Sequence, residues 1–130
     1  MRLHELTAQE LVRRLGRREL SVEALVRGLL ERIDEREPQV QAWTCIRREA
    51  LLEASRAMDR GAIRGPLHGL PVGVKDVYDT HDLPTEYGSP IYAGHQPKVD
   101  AAVVAQTRVA GGLIFGKAVK IGRASCRERV

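Results

Sequence analysis

The chain has 130 residues, 43% hydrophobic, 29% charged and 4% aromatic, with a formal net charge of +4. This is the composition of one globular domain, and so few aromatics argue against a base-stacking nucleic-acid module. No apolar run approaches a membrane span and Met1-Arg2-Leu3-His4-Glu5 lacks a signal-peptide core, so a cytoplasmic protein with no membrane partner is expected.

Thr7-Ala8-Gln9-Glu10 reads as a capping box, predicting a short helix to about Leu15 that stops near Gly16. Ser21 then caps a second helix. Val22, Leu25, Val26, Leu29, Leu30 and Ile33 form a continuous apolar stripe at helical spacing, and Pro38 is expected to end it. Residues 42–46, Ala-Trp-Thr-Cys-Ile, have strand composition. A third helix is predicted from Arg48 to Arg60, with Gly61 after its end. The Gly/Pro loop 65–71 leads into a strand over 72–77. Residues 78–98 hold Pro84, Gly88, Pro90, Gly94 and Pro97 and predict a long ordered loop, of the kind that is usually functional. Asp100 is expected to cap a helix over 101–110, and Leu113–Lys117 to form a buried strand after Gly111-Gly112. Strand, loop, helix, strand is a βαβ unit. The predicted fold class is therefore α/β, with N-terminal helices covering part of a mixed β-sheet.

The last ten residues hold three Arg and one Glu, half of the net charge, so the remainder gives no case for a polyanion partner. They show no hydrophobic period, cap or turn chemistry. They also read, codon by codon, as the translation of a short-read sequencing adapter ending at a stop codon. Residues 1–120 are accordingly expected to be native and 121–130 a non-native tail. Cys126 lies in that tail, which leaves Cys45 alone and gives neither a disulfide frame nor a zinc site.

One lysine attracts attention. Lys75 sits in the apolar run Pro71-Val72-Gly73-Val74-Lys75-Asp76-Val77. Val72, Val74 and Val77 suggest a strand buried on both faces, and Gly73 would leave open space beside the lysine. A lysine held so can lose its proton near neutral pH and act as a general base; a lysine at a strand end reaching solvent is the competing reading. Lys117 closes Gly111-Gly112-Leu113-Ile114-Phe115-Gly116-Lys117-Ala118, which fits the start of a P-loop. However, Ala118 replaces the Ser/Thr that binds Mg²⁺, and three bulky apolar residues occupy the phosphate cradle, so a helix end running into a core strand fits better. His68 is expected to pack or hydrogen-bond within its loop. His4, His81 and His95 show no metal-ligand spacing, and no metal is expected. Asp76, opposite Lys75, is suited to brace the following loop, and Tyr87, Ser89 and Tyr92 to border a pocket.

Gly65-Pro66-Leu67-His68-Gly69-Leu70-Pro71-Val72-Gly73-Val74-Lys75-Asp76, then Leu83-Pro84-Thr85-Glu86-Tyr87-Gly88-Ser89, then the segment from Asp100 to Lys117, resemble in order and spacing the N-terminal part of the amidase signature family. The resemblance covers Leu3 to Val119. It implies a truncated amidase signature fold and cleavage of carboxamide C–N bonds without a cofactor. It also implies that Lys75 is the lysine of a Ser–cis-Ser–Lys triad. The Gly/Ser-rich segment that carries both serines would follow Lys117 and is missing here; Ser125, in Arg-Ala-Ser-Cys-Arg, lacks its glycines. The chain alone is thus expected to be inactive, and a small-molecule amide, with no nucleic acid, is the partner expected of the full-length amidase. Alternatives are a fragment like the A-type subunit of the glutamyl/aspartyl-tRNA amidotransferase, which works with partner subunits, and a P-loop-like nucleotide-binding module.

Overall fold

A computed structural model describes residues 2–120, so the expected tail 121–130 lies outside the described residues. The elements are α1 (Ala8–Gly16), α2 (Val22–Val40), β1 (Trp43–Cys45), α3 (Arg48–Arg60), β2 (Pro71–Lys75), α4 (Ala102–Val109) and β3 (Leu113–Ala118). Single 3-10 turns occupy Leu3–Glu5 and Pro90–Tyr92.

The helix starts follow the sequence signals, with two departures. Thr7 accepts from the Glu10 amide at 3.2 Å, but Glu10 does not return the bond. Its carboxylate is taken by Arg13 and Arg14, whose hydrogen bonds and charge hold it down at about 2. Asp100 does not cap α4 either. The N-cap is Ala101, without a side-chain bond, while Asp100 accepts from the His81 amide and pairs with Arg108. Ser21 caps α2 through the Ala24 amide, and Asp59, near the end of α3, accepts from the Val22 and Glu23 amides at 2.8 and 3.0 Å. A carboxylate at a helix N-terminus satisfies orphan donors and complements the dipole. α2 does not stop at Pro38 but continues to Val40, then closes on Gln41 in the left-handed region. The carbonyl that Pro38 cannot bond belongs to solvent-exposed Asp34, so water can serve it. Glu37 then accepts from the Ala42 and Trp43 amides and aims the chain into β1.

The sheet order is β1-β3-β2, with β1 antiparallel and β2 parallel to β3. The central position of β3 explains its composition. Leu113 and Phe115 pack against Leu11, Leu15, Val22, Leu25, Val26, Leu30, Leu51 and Met58 of the first three helices. Ile114 faces the other way, onto Val74, Leu83 and Val104 of α4. The βαβ unit and the mixed sheet expected from the sequence are both present. The P-loop alternative is not: residues 113–118 are buried central strand, with no cradle for a phosphate.

One irregularity matters. The β2–β3 register runs Val72↔Ile114 and then Gly73↔Gly116, so Phe115 is an extra residue on β3. A bulge of one residue inverts the facing of everything beyond it. Strict alternation would put Lys117 in the helix-side core with Leu113 and Phe115. The bulge instead pairs it with Val74 and turns it to the α4 side.

The loop 65–70 is laid backbone to backbone against residues 110–113. Leu67 N donates to Ala110 O, Gly69 N to Gly111 O and Leu113 N to Leu70 O, all within 2.9 Å. His68 is buried there, and its Nδ1 accepts from the Arg64 amide at 3.0 Å, as the loop-packing reading anticipated. Burial, aided by the charges of Arg18 and Arg64, pushes its imidazole below the ordinary 6.5. The unfolded chain therefore takes up this proton first, and stability is lost as pH falls below about 6.5. Between roughly pH 7 and pH 5 the melting temperature is expected to fall more steeply than in His68→Asn, whose amide oxygen replaces Nδ1 without titrating.

Candidate active site

Lys75 is the last residue of β2, the edge strand of the sheet among the described residues. The expectation of a strand buried on both faces is corrected here. Val74 is buried, but Gly73 and Lys75 are exposed, because β3 and not β2 takes the central place. The space beside Gly73 is open to solvent but bounded on one side by Trp43. A Cβ there would lie 2.9 Å from the indole of Trp43, which stacks at a tilt on Phe115 with ring centroids 5.6 Å apart. Lys75 and Gly73 both border a groove of about 170 Å³ between β2 and α4, lined also by Val72, Val74, Tyr78, Val103 and Thr107. Its side chain has no hydrogen-bond or ion-pair partner among the described residues.

The buried lysine is Lys117, with no exposed surface at all. Its Nζ lies 3.0 Å from Tyr78 O, 3.2 Å from Pro84 O, 3.2 Å from Thr80 Oγ1 and 2.7 Å from Thr85 Oγ1. The two carbonyls can only accept. The Thr80 hydroxyl donates to Leu83 O, so it accepts from the lysine as well. A neutral amine has two N–H bonds, too few for these acceptors; an ammonium has three. Burial pushes Lys117 down from the ordinary lysine range, and Asp76, at 3.5 Å, opposes that shift. Asp76 is itself buried and accepts from the Glu86 amide at 3.1 Å, the bracing role read from the sequence. Sequence reasoning met Lys117 only as the end of a P-loop-like string. The usable signal was a lysine inside a strand of bulky apolar residues, which obliges the fold to bring it a counter-charge.

The network orders the 78–98 loop. Gln96 Nε2 reaches the carbonyls of Thr80, His81 and Leu83, and the Glu86 carboxylate accepts from Gly94 N. Tyr87 donates to Asp79 at 2.5 Å; this hydrogen bond to a carboxylate, with burial, pushes the phenol up to about 12. Tyr87, Tyr92 and His95 cluster with ring centroids 5.1–6.2 Å apart. Ser89 lines a groove of about 270 Å³ with Thr44, Asp76, Glu86 and Pro90. His81, Asp82 and Asp100 converge on the surface, with ligand atoms within 4.8 Å of one another. The Arg108 guanidinium already bridges the two carboxylates at 2.8 and 2.9 Å. Burial raises Asp100, but the bonds from His81 and the Arg108 charge prevail and hold it below its ordinary value. Among the described residues no helix is long and apolar enough to cross a membrane.

Three comparisons bear on this geometry. The chain is 40% identical over 119 residues to the A-type subunit of glutamyl-tRNA(Gln) amidotransferase from Chloroflexus aggregans, a match covering 88% of the chain and 24% of that protein. It superposes on the peptide amidase of Stenotrophomonas maltophilia with a TM-score of 0.77 at 31% identity, covering 88% of the chain and 24% of the enzyme. Fatty acid amide hydrolase, at 18% identity, shares the fold with a TM-score of 0.84 over 92% of the chain and 22% of its own length. The chain thus spans about a quarter of the proteins it matches. The amidase family profile matches residues 24–120, which include both lysines, the ordered loop and the βαβ unit, and the chain belongs to that family.

Proposed function

We propose that this chain is the N-terminal quarter of an amidohydrolase that cleaves carboxamide C–N bonds, and that Lys75 is its general base. The observation that supports the choice of lysine is the contrast between the two candidates. Lys117 has every proton committed to the loop, whereas Lys75 is exposed beside a groove with its amine uncommitted. A neutral Lys75 would take the proton relayed through a cis serine as a second serine attacks the amide carbonyl. The amine leaves with that proton, returned through the same serine, and water then releases the acyl group as the acid. Both serines would lie in the three quarters of the relatives beyond this match, so residues 1–130 alone are expected to hydrolyse nothing.

The test is made on the complete reading frame, recovered past Val119 from genomic DNA. Simple aliphatic and aryl amides should be hydrolysed, and Lys75→Ala should lower kcat by about 10³-fold, within the range of a lost general base. Full turnover by Lys75→Ala would refute the assignment, and Lys75-dependent turnover by the 130-residue chain would refute its inactivity. The identity to the Chloroflexus protein favours a second reading, a component of a tRNA-dependent amidotransferase. Under it, amide hydrolysis would depend on partner subunits.

A further inference from the structure

The buried ammonium of Lys117 and the exposed amine of Lys75 are joined by a short stretch of chain. β2 ends at Lys75, and the turn that follows is folded back on it: Val77 N and Tyr78 N both donate to Lys75 O, at 2.7 and 3.1 Å. Asp76 N donates across to Ala118 O at 2.8 Å. Lys117 holds this same turn from within, by Asp76, Tyr78 O and Thr80, and ties it to Pro84 and Thr85. It can do so only because the bulge at Phe115 turns it to that side of the sheet.

We propose that Lys117 is the positioning residue for Lys75: clamping the 76–85 turn and neutralising Asp76, it fixes where β2 ends and where the Lys75 amine is presented. The proposal rests on the reading of Lys75 as the base. The ionisable groups on the elements around Lys75 are Asp76, Tyr78 and Asp79 on the following turn and Lys117 on β3. The α4 side of the groove contributes Val103, Val104 and Thr107, none of which titrates. With Lys117 removed, the buried Asp76 carboxylate stands unmatched and the 76–85 turn loses its clamp, so the Lys75 amine at the end of β2 is no longer held in one place.

The experiment uses the complete enzyme with Lys75→Ala, Lys117→Met, Asp76→Asn and the double variant D76N/K117M. Folded fraction is measured by circular dichroism and active-site concentration by serine-directed labelling. Lys75→Ala is read first, because retained turnover there overturns the base assignment and this proposal with it. With that assignment standing, Lys117→Met per labelled site should lose about 10²-fold in kcat with KM little changed, the cost of a misplacement near 1 Å. A Lys117→Met enzyme that is less stable but keeps the parent's kcat per site would overturn the proposal. Should Lys117→Met not fold, D76N/K117M, which leaves no unmatched charge, is read for kcat in its place, and parental kcat overturns the proposal.

Discussion

Lys117→Met is expected to destabilise the fold by about 3–5 kcal/mol, the range for removing one partner of a buried ion pair. Methionine matches the lysine stem in length and fills the same space, so the loss is electrostatic and not a cavity. It strands the Asp76 carboxylate and removes the donor from two carbonyls and two threonine hydroxyls in the core. Each buried acceptor left without a partner carries a desolvation penalty of about 1–3 kcal/mol. Urea unfolding of the parent, K117M and D76N/K117M separates these contributions. The double variant should recover part of the loss, because a neutral pair removes the unmatched charge while Pro84 O stays unserved and Tyr78 O keeps only its 3.4 Å bond from Thr85 Oγ1. Lys75→Met is the control: its side chain is exposed and unpartnered, and the midpoint should move by no more than about 0.5 kcal/mol. Equal midpoints for K117M and K75M would contradict the division of labour between the two lysines.

Gly111→Ala is expected to cost about 2–5 kcal/mol, for two reasons that add. The residue sits at φ +97°, where an L side chain is strained by about 1–2 kcal/mol. A Cβ there would also meet the His68 Cα and N at 2.9 and 3.0 Å, atoms of a backbone that cannot swing aside. Gly65 stands in the reciprocal position, its Cβ direction blocked by Ala110 O at 2.6 Å. Glycine on both sides lets two stretches of main chain touch, which is what the loop's hydrogen bonds to 110–113 require. Overpacking typically adds about 1–3 kcal/mol. A thermal melt of Gly111→Ala beside Gly16→Ala tests this, since a Cβ at Gly16 meets nothing within 4 Å. A parental melting temperature for Gly111→Ala would refute the contact.

The parts of this fold that were legible in the sequence are those set by local pattern. The Ser21 cap and the apolar stripe from Val22 to Ile33 specify α2, because both signals lie within a few turns of each other. Strand, loop, helix and strand in the second half specify the βαβ unit, and the ordered motifs specify the family. What was not legible depends on strand order and on a bulge. Whether Lys75 or Lys117 is buried follows from which strand takes the centre of the sheet, and both runs have similar apolar content. The extra residue at Phe115 has no local signature, yet it decides which core Lys117 enters. Asp100 and Glu10 show the complementary limit: their helix-cap patterns were sound, but arginines on nearby turns offered each carboxylate stronger partners. The loop over 78–98 was expected to be ordered, and it is, but the lysine that orders it lies beyond its end.

That last arrangement bears on how the chain is made. Synthesis runs from Lys75 to Lys117, so Lys75 leaves the ribosome before the strand that pairs with β2. Until β3 has emerged and docked, β2 has no neighbour between it and β1, the turn after Lys75 has no clamp, and Asp76 has no counter-charge. At translation rates of about 5–20 residues per second, the intervening 78–98 segment spends on the order of seconds without its organiser. A nascent chain stalled near Val109 would carry Lys75 without β3 beside it. Maturation of this region is therefore gated by β3.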